Sequence, residues 1–181
     1  FSRYQVLSSE RRTALQNEVS LALDHISKNI FSAFGNTRID PVNQPAGNDV
    51  VDIAVCGTDP AVDNFVALTV YVEDVNQDHR PTFLVDRRIA YMFDRSLHTL
   101  KFINNYTGGC SSALPGDTLS SRITAFVPVF ALDAAGNYPN HIDLQITACW
   151  DPTEANHACG TSDNPSVTMN SRAVMPSVST R

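Results

Sequence analysis

The densest group of metal-capable oxygens in the sequence is Glu73-Asp74-Val75-Asn76-Gln77-Asp78, in which Asp-x-Asn-x-Asp matches the opening of a calcium-binding loop. An EF-hand needs Gly at the sixth loop position for its sharp turn and Glu at the twelfth as a bidentate ligand. Counted from Asp74, those positions hold His79 and Val85, so the EF-hand is excluded. A generic oxygen-ligand calcium site remains, set against the plainer reading of a solvated turn between strands containing Tyr71 and Phe83. The five histidines (25, 79, 98, 141 and 157) show no i, i+4 pairing of the kind metal helices use. His157 lies two residues before Cys159, but that cysteine is better used in a disulfide. There is no Gly-x-Ser-x-Gly elbow, His-Glu-x-x-His, phosphate-binding loop or dinucleotide fingerprint. The expectation is therefore no enzyme: no catalytic residues, no metal site and no cofactor. Asn105-Tyr106-Thr107 is an acceptor sequon that matters only where N-glycosylation machinery acts.

The four cysteines, at 56, 110, 149 and 159, form no C-x-x-C pair, which removes the zinc-ribbon and thioredoxin spacings. Two disulfides and an oxidising compartment are the better reading. Of the three connectivities, the preferred one is Cys149–Cys159 with Cys56–Cys110. The first would close a polar loop rich in turn formers, and the second is the remainder. A net charge of −6, from 13 basic and 19 acidic residues, argues against a nucleic-acid partner and against simple docking on anionic lipid.

Any such groups must be carried by elements that the pattern distinguishes clearly. From about Ser2 to Phe34 there is neither Gly nor Pro, and Leu15, Val19, Ala22, Ile26, Ile30 and Ala33 recur in steps of three and four. This is helical periodicity with one apolar stripe, predicted to pack on a sheet. Gly35-Asn36 supplies a stop, and Lys28 suits the C-terminal end of the helix dipole. The first half of the helix is the more polar, which suits protrusion or a partner. Residues 37–50 read as a loop. Seven strand candidates follow: 50–56, 65–73, 83–93, 99–104, 118–132, 142–150 and 167–174. Alternation is clearest from Ile142 to Trp150, the mark of an antiparallel strand with one buried face. Pro128 suggests an edge or bulge, and Asp133-Ala-Ala-Gly136-Asn137 a hairpin turn. The predicted class is α+β: a helix over residues 1–35 packed on an antiparallel β-sheet in a head spanning 36–181, with two disulfides.

Several of these stretches resemble one family. The run Arg12-Thr-Ala-Leu-Gln-Asn-Glu-Val-Ser-Leu-Ala-Leu-Asp24-His-Ile-Ser-Lys-Asn-Ile-Phe-Ser-Ala-Phe34 resembles the post-membrane half of the N-terminal helix of type IV pilin-like proteins. More narrowly it is similar to the PilW/PulJ group, the minor pilins and the J-type pseudopilin of type II secretion. Leu68-Thr-Val-Tyr-Val-Glu-Asp74-Val-Asn76, Ile89-Ala-Tyr91-Met-Phe93 with Thr99-Leu-Lys-Phe102, and Leu119-Ser-Ser-Arg-Ile-Thr-Ala-Phe126 resemble that group in order. The front departs from it: Ser2, Arg3 and Gln5 stand where a mature pilin carries an apolar run and a Glu at the fifth position. The expectation is that the membrane half of the helix belongs to a missing N-terminal segment. The resemblance implies a structural subunit of a pilus or pilus-like filament at the bacterial surface or in the periplasm, anchored in the inner membrane before assembly. Its partners would be other pilin or pseudopilin subunits. A J-type secretion pseudopilin and an exported adhesin module with a calcium site are the alternatives.

Overall fold

The computed structural model describes residues 2–33, 53–57, 59, 61, 63–73, 75, 87–107, 114–129 and 141–175. Helix α1 runs from Ser2 to Phe31 and is followed, among the described residues, by eight strands: β1 (Ile53–Cys56), β2 (Phe65–Glu73), β3 (Arg87–Asp94), β4 (Thr99–Ile103), β5 (Asp117–Ser120), β6 (Ile123–Val129), β7 (His141–Cys149) and β8 (Ser166–Val174). The strands form two antiparallel sheets, one of five in the order β1-β2-β3-β4-β5 and one of three in the order β6-β7-β8.

This corrects the expected fold class in two respects. The helix packs on two sheets rather than one, and among the described residues there is one disulfide, Cys149–Cys159, rather than two. Cys56 is not free, but Cys110, its expected partner, lies outside the described residues. The physical cause of the first correction lies at Ser121-Arg122, inside the stretch predicted as a single strand over 118–132. There the chain leaves the first sheet and enters the second. Ser120 Oγ accepts the Arg122 N–H, Ile123 N–H donates to the His98 carbonyl, and Cys149 N–H donates to the Arg122 carbonyl. Backbone bonds thus join the two sheets where the strand breaks. The register shift between Ile123 and Ala125 follows at once, and β6, which carries Pro128, is an edge strand.

One core fills the space between the helix and both sheets. Leu15, Val19, Ala22, Ile26, Ile30 and Ala33 are all buried, joined by Leu23, whose place beside the stripe widens it. The helix lies mainly on β8 and β7, and touches β2 and β5. The first sheet offers Val66, Leu68, Val70, Ile89, Tyr91 and Phe93, and the second Phe126, Ile142, Leu144 and Ile146. A smaller apolar cluster of Ala67, Ala90, Met92, Ile103 and Tyr106 covers the opposite face of the first sheet. Burial on both faces is why β2 and β3 are apolar runs rather than alternating strands. After β1 the chain turns at Gly57, whose φ is +73° and where a Cβ would meet the Phe65 carbonyl oxygen, so glycine is required there.

Candidate functional site

The helix is held to the head at three levels along its length. Near its end, Asn29 Nδ2 donates to the Tyr91 hydroxyl (2.7 Å) and to the His25 carbonyl (3.0 Å), while the Tyr91 hydroxyl donates to that same carbonyl (3.0 Å). A hydroxyl has one proton, so the 2.8 Å contact from His25 Nδ1 to the Tyr91 oxygen has the imidazole as donor, which sets its tautomer. The His25 ring also stands edge-on to Phe102, with centroids 4.8 Å apart. In mid-helix, Glu18 pairs with Arg122 at 3.3 Å, and the Arg122 guanidinium lies 4.2 Å from the centre of the Trp150 ring. Lower still, Arg11 lies 5.5 Å from the same ring and donates to the Asp163 carbonyl at 2.5 Å. Asp163 belongs to the connection between β7 and β8, just beyond the ring that the Cys149–Cys159 disulfide closes and next to Asn164.

Below Arg11 the head supplies little cover. Positions 3, 5, 6, 7, 9 and 10 are exposed, and Val6 and Leu7 stand out at 51% and 43%. The side of the helix facing away from the sheets carries two larger apolar groups, Leu21 at 70% and Phe31 at 65%. This uncovered face is the candidate interaction surface. A second surface is the outer face of the three-stranded sheet, where Val127, Val129 and Val174 are exposed. Its polar groups are already matched across strands: Arg172 with Asp143 (2.7 and 2.9 Å), Gln145 with Asn170 (3.0 Å) and Thr147 with Thr168 (2.9 Å). The Arg172 hydrogen bond holds the Asp143 carboxyl below the usual carboxylate range.

Family models, curated proteins and solved structures contain no match to this chain.

Chemistry finds less support. Among the described residues no three His, Cys, Asp or Glu side chains lie close enough to hold a metal, and no helix is long and apolar enough to cross a membrane. Asp74, Asn76, Asp78 and His79 of the calcium candidate, and the Asp133–Asn137 turn, lie outside the described residues. His157 is 3.8 Å from Asp163 on the disulfide loop. The anchors Arg11, Arg122, Tyr91 and Asn29 were not singled out by spacing. Each acts through contacts with residues far away in sequence, and no local period marks such contacts.

Tyr91 yields a pH-dependent expectation. Burial pushes its phenol well above the ordinary value of 10.0, and burial also raises Tyr106, partly offset by Arg88. In the unfolded chain both phenols ionise near their ordinary value, so the unfolded state sheds protons first. Below about pH 10 the native protonation is fully favourable, and stability falls as pH climbs past that value. Tyr91→Phe should cost about 1–2 kcal/mol at neutral pH, because His25 Nδ1–H loses its acceptor. The same variant should lose stability less steeply than wild type above about pH 10, with Tyr106 supplying the remaining slope. Urea midpoints of both proteins across that range check the sign.

Proposed function

We propose that this protein is a structural subunit of a type IV pilus or pilus-like filament, held in the inner membrane before assembly and packed afterwards against other pilin or pseudopilin subunits through its N-terminal helix. The observation that carries this reading is the division of the thirty-residue helix α1 into two working faces. One face is engaged with both sheets, while the other is left uncovered, with Val6 and Leu7 below Arg11 and Leu21 and Phe31 above it exposed. A helix that served only to complete the head would end where the sheets end, and would be polar on its far side. Large exposed apolar groups along a rigid rod suit burial against a neighbouring subunit. The resemblance of residues 12–34, 68–76, 89–93, 99–102 and 119–126 to the PilW/PulJ group supplies the kind of assembly.

The experiment is made in the cells that produce the protein. Shear-released surface filaments and the periplasmic fraction are probed with antibody to the head, for wild type and for Leu21→Arg/Phe31→Arg. Wild type should co-sediment with filaments. The variant should fold normally and fall by about tenfold in the filament fraction, since two charges would be buried unpaired at the contact. Wild type found only as free protein would overturn the reading. Retention in a periplasmic secretion filament instead of a surface fibre would assign it to the pseudopilin branch of the same proposal.

A further inference from the structure

We infer that the uncovered face of α1 is built to pair, antiparallel and in one register, with the same face of a second copy of this chain. From Leu7 to Phe31 the exposed positions opposite the core advance in steps of three, four, three, four, three, four and three. That spacing is the seam of a left-handed two-helix contact, distinct from the stripe that faces the sheets.

The residues on this seam are arranged symmetrically about position 19. In an antiparallel pair whose twofold axis passes there, Leu7 meets the partner copy's Phe31 and Glu10 meets its Lys28. Closer to the axis, Ala14 meets Asp24 and Asn17 meets Leu21. Each of these contacts occurs twice. The outer layers are apolar, the next layers are opposite charges, and no like charges face one another. Parallel arrangements fare worse. A parallel pair in register would set Glu10, Asp24 and Lys28 each against its own copy, three layers of like charge. Sliding a parallel pair by seven residues sets Leu21 against Lys28 and Asp24 against Phe31. Charge complementarity therefore selects the occupant and its direction together.

The pair would be modest in size. At 1.5 Å per residue the seam is about 36 Å long, and a strip about 12 Å wide covers roughly 400 Å² on each copy. The total of roughly 800 Å² for the two copies lies below the roughly 1,200–2,000 Å² of standard stable interfaces, so the dimer is expected to be concentration-dependent. The inference does not rest on the filament reading. Where both hold, they compete for the same face, and the antiparallel pair is a state that filament entry must dissolve.

The test uses the full chain in solution. Sedimentation equilibrium should show a monomer–dimer equilibrium for wild type. Lys28→Glu should weaken dimerisation by about tenfold or more, and Glu10→Lys/Lys28→Glu should bring it back to within about threefold of wild type. Circular dichroism verifies that each variant is folded. Direction is read by cross-linking. With no free cysteine among the described residues, Glu10→Cys mixed with Lys28→Cys should form a disulfide readily. Glu10→Cys alone should not, because its copies would be about 27 Å apart along the pair. A monomer at all concentrations up to about 1 mM (where even a weak interface associates), failure of the charge swap to restore pairing, or equal cross-linking of Glu10→Cys with itself would each overturn the inference. A chain that dimerises in this way yet never enters filaments removes the filament reading alone. A monomer that enters them removes only this one.

Discussion

Ile26→Ala is expected to lower the stability of the folded chain by about 3 kcal/mol, within the range of roughly 2–5 found for large-to-small changes in tight cores. Leu21→Ala, five residues earlier on the same helix, should change it by less than about 0.5 kcal/mol when measured on the dilute monomer. Both are aliphatic residues in the middle of α1, so helix propensity does not separate them and the contrast isolates burial. Ile26 is fully buried in the core shared by both sheets, while Leu21 is 70% exposed. The cavity left at position 26 has little freedom to collapse. The helix is held on one side of it by the Glu18–Arg122 pair and on the other by Asn29 and Tyr91, so it does not settle into the gap without breaking those contacts. Urea denaturation with an unchanged slope is the measurement. A loss below about 1 kcal/mol at Ile26 would mean that the helix is not docked on the sheets in solution. A loss above that at Leu21 would mean that the outer face is already covered within the monomer.

The same two residues show how far the sequence could be read. The inner stripe shows in the sequence as a period of apolar residues, because a helix that packs on a sheet imposes one, while Leu23, buried beside it, lies off that period. Strand β2 is predicted with its observed limits, and β7 and β8 to within one residue, since alternation or a continuous apolar run marks each. The two-sheet arrangement was not legible. The break at Ser121-Arg122 contains neither Gly nor Pro, and the apolar residues on either side continue as though one strand ran through. What ends β5 is a set of backbone bonds to His98 and Cys149, which are far away in sequence. The alternation predicts a strand running to Trp150. The structure ends β7 at Cys149 and leaves the indole partly exposed beside Arg11 and Arg122. The outer seam of α1 escaped for a different reason. Only four of its eight positions are apolar (Leu7, Ala14, Leu21 and Phe31), too thin a pattern to be noticed until the inner face has been assigned.

Asn164→Ala should cost about 2–4 kcal/mol, as much as opening the neighbouring disulfide, because one buried amide organises the whole loop between β7 and β8. Asn164 is only 2% exposed. Its Oδ1 accepts from Asp151 N–H (2.9 Å), and its Nδ2 donates to the carbonyls of Asp151 (2.9 Å) and His157 (2.8 Å). Its own carbonyl accepts from Gly160, which sits at a φ of +97°. The residues from Asp151 to Asp163 are mostly exposed and have few apolar contacts to hold them. Alanine would take the partner from Asp151 N–H and from the His157 carbonyl, and leave the Asp151 carbonyl only its long bond from Glu154 N–H at 3.4 Å. Removing the disulfide with Cys149→Ser/Cys159→Ser should cost about 2–3 kcal/mol, from the entropy of a loop of roughly ten residues. Because both devices clamp the same loop, the combined variant should cost less than the sum, by about 1 kcal/mol or more. Asn164→Asp is the sharper probe. It sets a carboxylate oxygen against two carbonyl oxygens, so its folded-state pKa must rise above the unfolded value. The deficit should therefore be greatest at neutral pH, and shrink as pH falls and the carboxyl regains a proton that one carbonyl accepts. The loop also bears on the helix, since the Asp163 carbonyl receives Arg11. Hydrogen exchange should speed up over residues 8–14 in Asn164→Ala while residues 22–30 stay protected. Uniform exchange along α1 would show that the loop does not steady the projecting end of the rod.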